Sequence, residues 1–111
     1  MSTPLIDPAV FGELQAAAGA DFVAELVQTF AEEGPRILDE LAAAHAERAA
    51  DRFRRAAHSL KSNSQTFGAT RLAAMAKALE VDGFPADATP LSALEDELRR
   101  TLAALDEVAR G

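Results

Sequence analysis

Apolar residues recur along this chain at three- and four-residue intervals, the spacing of amphipathic helices. The first such stretch is short. Asp7 stands where an N-cap side chain would accept backbone N–H groups, and Pro8 follows at the first helical position. Val10, Phe11 and Leu14 line one side until Gly19 ends the pattern, which predicts a helix over 8–17 after a loosely ordered lead-in at 1–6. From Ala20 to about His45 the apolar positions are Phe22, Leu26, Phe30, Ile37, Leu38 and Leu41. Gly34-Pro35 interrupts them, and a proline inside a helix removes one hydrogen bond and crowds the carbonyl four residues back, that of Ala31. Two helices meeting at Gly34, or one kinked helix, fit the interruption; the unbroken apolar phase favours one kinked helix.

A tight turn near 47–50 leads into a helix over 50–67, stopped by Gly68. Another helix follows over 69–81, with Leu72, Met75, Ala76 and Leu79 inward. The segment DGFPADATP, residues 82–90, is dense in turn formers and reads as a loop. Thr89 and Pro90 suit the cap and first position of a last helix over 90–109. Its inward stripe is Leu91, Leu94, Leu98, Leu102, Leu105 and Val108 or Ala109; Glu95, Glu97, Arg99 and Arg100 keep the other side wet. The fold class expected is all-α: an up-down-up-down antiparallel four-helix bundle with a short extra N-terminal helix, forming a single domain over 1–111.

Composition narrows the chemistry. The chain has no Cys, which rules out disulfides, thiol catalysis and thiolate metal sites. No apolar run approaches the ~18 residues of a membrane span, and the N-terminus lacks a basic region followed by an apolar one, so the cytoplasm is expected. The formal net charge of −7 argues against a nucleic-acid partner. That charge is uneven, however. Arg48, Arg52, Arg54, Arg55 and Lys61 crowd one stretch, a local basic patch suited to an anionic ligand or an acidic partner.

His58 lies inside that patch. With about 100° of rotation per residue, Phe53, Ala57, Leu60 and Phe67 share one stripe and His58 falls near 140° from it. Arg54, Lys61, Ser62 and Gln65 flank it on the wet side. The helix is thus pinned from behind while the imidazole faces water. The other histidine, His45, sits in LAAAHAER near a helix end, where it reads as structural or merely exposed.

HSLKS at 58–62, Gly68, Leu72 and the pair Leu79-Glu80 resemble the signature of histidine phosphotransfer (HPt) domains: His-x-Leu-Lys-Gly, a glycine ten positions after the histidine, a leucine four later, then Leu-Glu. Ser62 stands where the family most often has glycine, and keeps the position small. The resemblance extends over most of the chain. It implies that His58 accepts a phosphoryl group from a receiver-domain aspartate or a histidine kinase and passes it to a response regulator. A neutral imidazole is a competent nucleophile near neutral pH. In this reading Lys61 offsets phosphoryl charge, and Gln65 bonds the imidazole or a phosphoryl oxygen. Arg54 and Arg55 steer an acidic partner surface, Ser62 leaves room for it, and Gly68 shapes the turn beside the site. By analogy the docking surface adds Phe11, Leu14 and Val27. The chain needs no cofactor of its own; Mg²⁺ is expected on the partner receiver domain. The implied partners are that receiver and a hybrid histidine kinase, met by a monomer with no kinase activity or metal site of its own. An alternative of another class is a non-catalytic helical module that binds or sequesters a receiver. A full histidine kinase is disfavoured by length and by Ser59, since an acidic residue usually follows the histidine there.

Overall fold

The computed structural model describes residues 5–110. These form helices α1 Pro8–Ala18, α2 Ala20–Ala46, α3 Ala50–Thr66, α4 Thr70–Asp82 and α5 Thr89–Arg110. Most of the lead-in expected at 1–6 lies outside the described residues; of it, Leu5 is half-buried and Ile6 buried. α2 packs on α3, α3 on α4, α4 on α5 and α5 back on α2, closing an antiparallel four-helix bundle. α1 lies across α2 and α3.

The chain's small residues decide where helices approach and stop. The Asp7 side chain accepts the Ala9 N–H at 2.9 Å, while the Asp7 N–H donates to the Gly68 carbonyl at 2.8 Å, so one residue caps α1 and ties it to the end of α3. Gly68 has φ +77°, and a Cβ there would lie 2.9 Å from that of Val10. α3 ends with Ala69 N–H donating to Ser64 O and Gly68 N–H to Gln65 O, a Schellman cap with glycine in the left-handed position. α2 ends in the same way, by Ala49 N–H to Ala44 O and Arg48 N–H to His45 O, but there Arg48 takes the positive φ, 56°.

α2 runs unbroken through Pro35 as a single helix. Gly34 explains the pair: a Cβ there would stand 3.2 Å from both terminal methyls of Leu98, so glycine lets α2 and α5 close together. The core fills from all sides with Phe11, Phe30, Leu41, Phe53, Leu60, Leu72, Leu94 and Leu105, each fully buried, and Phe30 stacks on Phe67 at 5.5 Å.

Several expected faces are corrected. Phe22 is 51 % exposed, and the inward positions of the first half of α2 are Val23, Val27 and Phe30, about 100° round the helix from the expected start. Phe11 is 1 % and Val27 5 % exposed, so both belong to the core and are unavailable for docking. Glu97, expected on the wet side of α5, is 4 % exposed, with Oε1 3.4 Å from Arg71 Nε on α4. Val108 remains 41 % exposed. Thr89 is the first residue of α5 rather than its cap; Asp87 accepts the Thr89 N–H at 2.8 Å, and this bond holds its carboxyl below the usual carboxylate range.

Candidate functional site

α3 presents its polar side between α2 and α4. Its apolar stripe, Phe53, Ala56, Ala57 and Leu60, is buried, so the helix cannot rotate and His58 is held outward with its side chain 58 % exposed. The short polar residues of this helix satisfy themselves locally. Ser64 Oγ donates to Leu60 O, Asn63 Nδ2 to Ser59 O and Thr66 Oγ1 to Ser62 O, each four residues back. The polar surface around His58 therefore costs α3 no unmet hydrogen bonds at those side chains.

A residue from the neighbouring helix completes the site. Glu80 of α4 places Oε2 2.6 Å from His58 Nδ1 and Oε1 2.7 Å from Lys61 Nζ. Its side chain is only 18 % exposed and that of Lys61 20 %. An ionised carboxylate can only accept, so His58 Nδ1 carries the hydrogen and donates it. The Lys61 bond, then the His58 bond, hold the Glu80 carboxyl below its ordinary range, which keeps the acceptor ionised. In the neutral ring this leaves the lone pair on Nε2, which has no partner among the described residues. The arrangement is a carboxylate that orients an imidazole and leaves its far nitrogen open to attack an electrophile.

The other predicted site residues divide by helix side. Lys61 joins the His58 group, through Glu80. Gln65 is exposed and lines a groove with Val10 and Lys77; the hydrogen-bond partner of the imidazole is Glu80 instead. Ser62 is exposed one turn after His58, as a small neighbour should be. Arg54 lines a cleft with Glu80 and Val81, whereas Arg55 lines another, on the α2 side, with Arg36 and Ser59. Arg52 is committed elsewhere: Glu40 and Glu47 hold it at 2.7 and 3.1 Å, and the Glu40 carboxyl is lowered in return. Of the docking residues, Leu14 is half-buried, and Phe22 offers the exposed aromatic surface that Phe11 and Val27 do not.

His45 is structural. Its Nε2 lies 3.1 Å from the Pro85 carbonyl, which can only accept, and its ring packs against Phe53 and Phe84. It fastens the α4–α5 loop to the end of α2. Among the described residues no group of three or more His, Asp or Glu is placed to hold a metal ion, and no helix is long and apolar enough to cross a membrane.

Sequence reasoning singled out Glu80 only as part of a family signature, not as the partner of His58. The signal available was that pair, Leu79-Glu80, in which a buried leucine fixes the azimuth of the acid beside it.

Comparison with known proteins agrees with this fold. The crystal structure of histidine-containing phosphotransfer protein B (HptB) from Pseudomonas aeruginosa PAO1 superposes with a TM-score of 0.76 at 28 % identity, covering 98 % of this chain and 94 % of that one. No curated protein matches the chain. The Hpt domain family profile matches residues 25–107, which takes in α3, α4 and the His58–Glu80–Lys61 group. The chain belongs to the Hpt domain family, the histidine-containing phosphotransfer domains of phosphorelays.

Proposed function

We propose that His58 is the phosphoacceptor and that Nε2 is the atom that carries the phosphoryl group. The observation that supports this reading is the Glu80 bond to Nδ1, which holds the ring in the tautomer whose lone pair faces outward. The donor is an aspartyl phosphate on a receiver domain. Nε2 attacks phosphorus, the Nε2–P bond forms, the bond from phosphorus to the acyl oxygen breaks, and the aspartate leaves as a carboxylate. No proton has to move. The ring becomes cationic, and Glu80 already faces the N–H that shares this charge. Return of the phosphoryl group to another aspartate reverses each step.

Lys61 acts through Glu80. By occupying Oε1 it keeps the carboxylate ionised and leaves Oε2 for the ring. Lys61 and Glu80 are thus positioning residues, and Ser62 and Gln65 lie C-terminal to the ring on the same helix. The receiver supplies Mg²⁺ and its own acidic cluster, and a hybrid kinase stands upstream. The chain works as a phosphocarrier, as a monomer in the cytoplasm, with no kinase activity of its own.

The docking surface is the α2–α3 edge with α1. Phe22 and Glu40 are eighteen residues apart, about five turns, so they share one azimuth; Glu40 is paired to Arg52 of α3. Phe22 therefore faces the α3 side, and the docking surface joins Phe22 and Leu14 to the Arg55 cleft, whose lining includes Ser59 beside His58.

The test is transfer from a panel of phosphorylated receiver domains of the same organism, with His58→Gln as the blank. Acid-labile, base-stable label on the wild type alone is expected. A folded wild-type chain that binds a receiver and takes no label would establish the sequestering module instead.

A further inference from the structure

Given His58 as phosphoacceptor, a cation beside the phosphoryl oxygens would offset their charge, and the structure commits Lys61 elsewhere. Lys61 Nζ lies 2.7 Å from Glu80 Oε1 with its side chain 20 % exposed, and Glu80 sits against Nδ1, so that bond holds the ammonium on the side of the ring away from Nε2. We propose that Arg54 is the phosphoryl-binding residue, its guanidinium closing on the oxygens of the group carried by His58.

Three observations carry this. The first is direction: a helical side chain covers the turn N-terminal to its own Cα. A group on His58 Nε2 therefore lies over the turn that begins at Arg54, not over Ser62 or Gln65. The second is the side of the helix. Arg54 and Glu80 line one cleft, so Arg54 shares the α4 side with the atom that holds His58. Arg55 lines the α2 side with Arg36 and Ser59, and Lys77 lines the groove of Val10 and Gln65 beyond the other end of the site. The third is availability. The one ion pair of Arg54 among the described residues is to Asp51, at 3.6 Å, with the two side chains 61 % and 85 % exposed. So exposed a pair contributes little and exchanges readily for a dianion. A guanidinium matches two phosphoryl oxygens at once, which an ammonium cannot do.

The experiment uses potassium phosphoramidate as donor, so that no partner docking enters. His58 Nε2 attacks phosphorus, the P–N bond of phosphoramidate breaks, and ammonia leaves. The phosphoryl group is then titrated by ³¹P NMR in the wild type, Arg54→Ala, Arg54→Lys, Arg55→Ala and Lys61→Ala. Loss of a cation at the phosphoryl group favours its protonated form. Arg54→Ala is expected to raise its proton affinity roughly two- to fivefold, the range of a solvent-exposed charge pair. Arg54→Lys should fall between Arg54→Ala and the wild type, and Arg55→Ala should leave the midpoint unmoved. Equal midpoints for Arg54→Ala and the wild type, or a rise in Lys61→Ala alone, overturn the inference. A wild type that takes no label on His58 overturns the phosphoacceptor reading and this inference with it.

Discussion

Replacing Gly68 by alanine should detach α1 from the bundle, and the size of the effect follows from two features of the site. Gly68 has φ +77°, where an L-residue costs roughly 1–2 kcal/mol relative to right-handed conformations. Its new Cβ would also stand 2.9 Å from Val10 Cβ and 3.0 Å from Asp7 O, and Asp7 is the residue that caps α1 and bonds to Gly68. Neither contact is the loose end of a side chain, so relief requires α1 to move, and overpacking of this kind costs about 1–3 kcal/mol. Together the two amount to about 2–5 kcal/mol, a large share of the ~5–15 kcal/mol that holds a small domain folded. In urea, with a slope of about 2 kcal/mol/M, the midpoint should fall by roughly 1–2.5 M. The assay is far-UV circular dichroism across a urea series, with Gly12→Ala as control. A Cβ at Gly12 meets nothing within 4 Å, and alanine there should stabilise α1 by up to about 1 kcal/mol. A midpoint for Gly68→Ala equal to that of the wild type would refute both the left-handed requirement and the close approach.

Other predictions follow the same geometry. Arg48→Gly should stabilise the domain by about 0.5–1 kcal/mol, since relief of the left-handed arginine exceeds the added freedom of the unfolded chain; an unchanged urea midpoint would mean that Arg48 is not strained. Glu80 has a lowered carboxyl in the folded state, so its contribution to stability is fully present above its ordinary value of 4.5 and is lost as pH falls through the lowered one. The gap in urea midpoint between wild type and Glu80→Gln should therefore narrow from about pH 6 to about pH 3, and a constant gap would mean that the carboxylate is not engaged. Lys61→Ala should leave the bundle folded and slow transfer from a receiver; an unchanged rate would remove Lys61 from the positioning group. Phe22→Asp should slow transfer from a receiver while leaving labelling by phosphoramidate intact, and equal slowing of both would show damage to the fold rather than to docking.

The sequence carried much of this because periodicity reports one helix at a time. The stripe of Phe53, Ala57 and Leu60 placed His58 on the wet side of α3, where it stands. Proline and glycine marked the ends of α1 and α3, and the unbroken phase across Pro35 indicated one α2 helix. Relations between helices were less legible. Glu80 lies 22 residues after His58, and only the antiparallel register of α3 and α4 brings the two together. Phe22 was expected inward because it keeps the helical period of Leu26 and Phe30, yet Val23 beside it takes the core position and leaves Phe22 at the surface. Glu97 was expected outward because it is charged; its burial depends on Arg71 arriving from α4, which no local pattern encodes.

The central claim is atomic: the phosphoryl group resides on Nε2 of His58 while Nδ1 keeps its proton for Glu80. Long-range ¹H–¹⁵N correlation of the histidine rings, recorded before and after phosphorylation, tests it most directly. The account predicts that His58 alone changes, with phosphorus coupled to Nε2 and Nδ1 protonated, and that His45 is unaltered. Phosphorus on Nδ1 of His58, or on either nitrogen of His45, would contradict it.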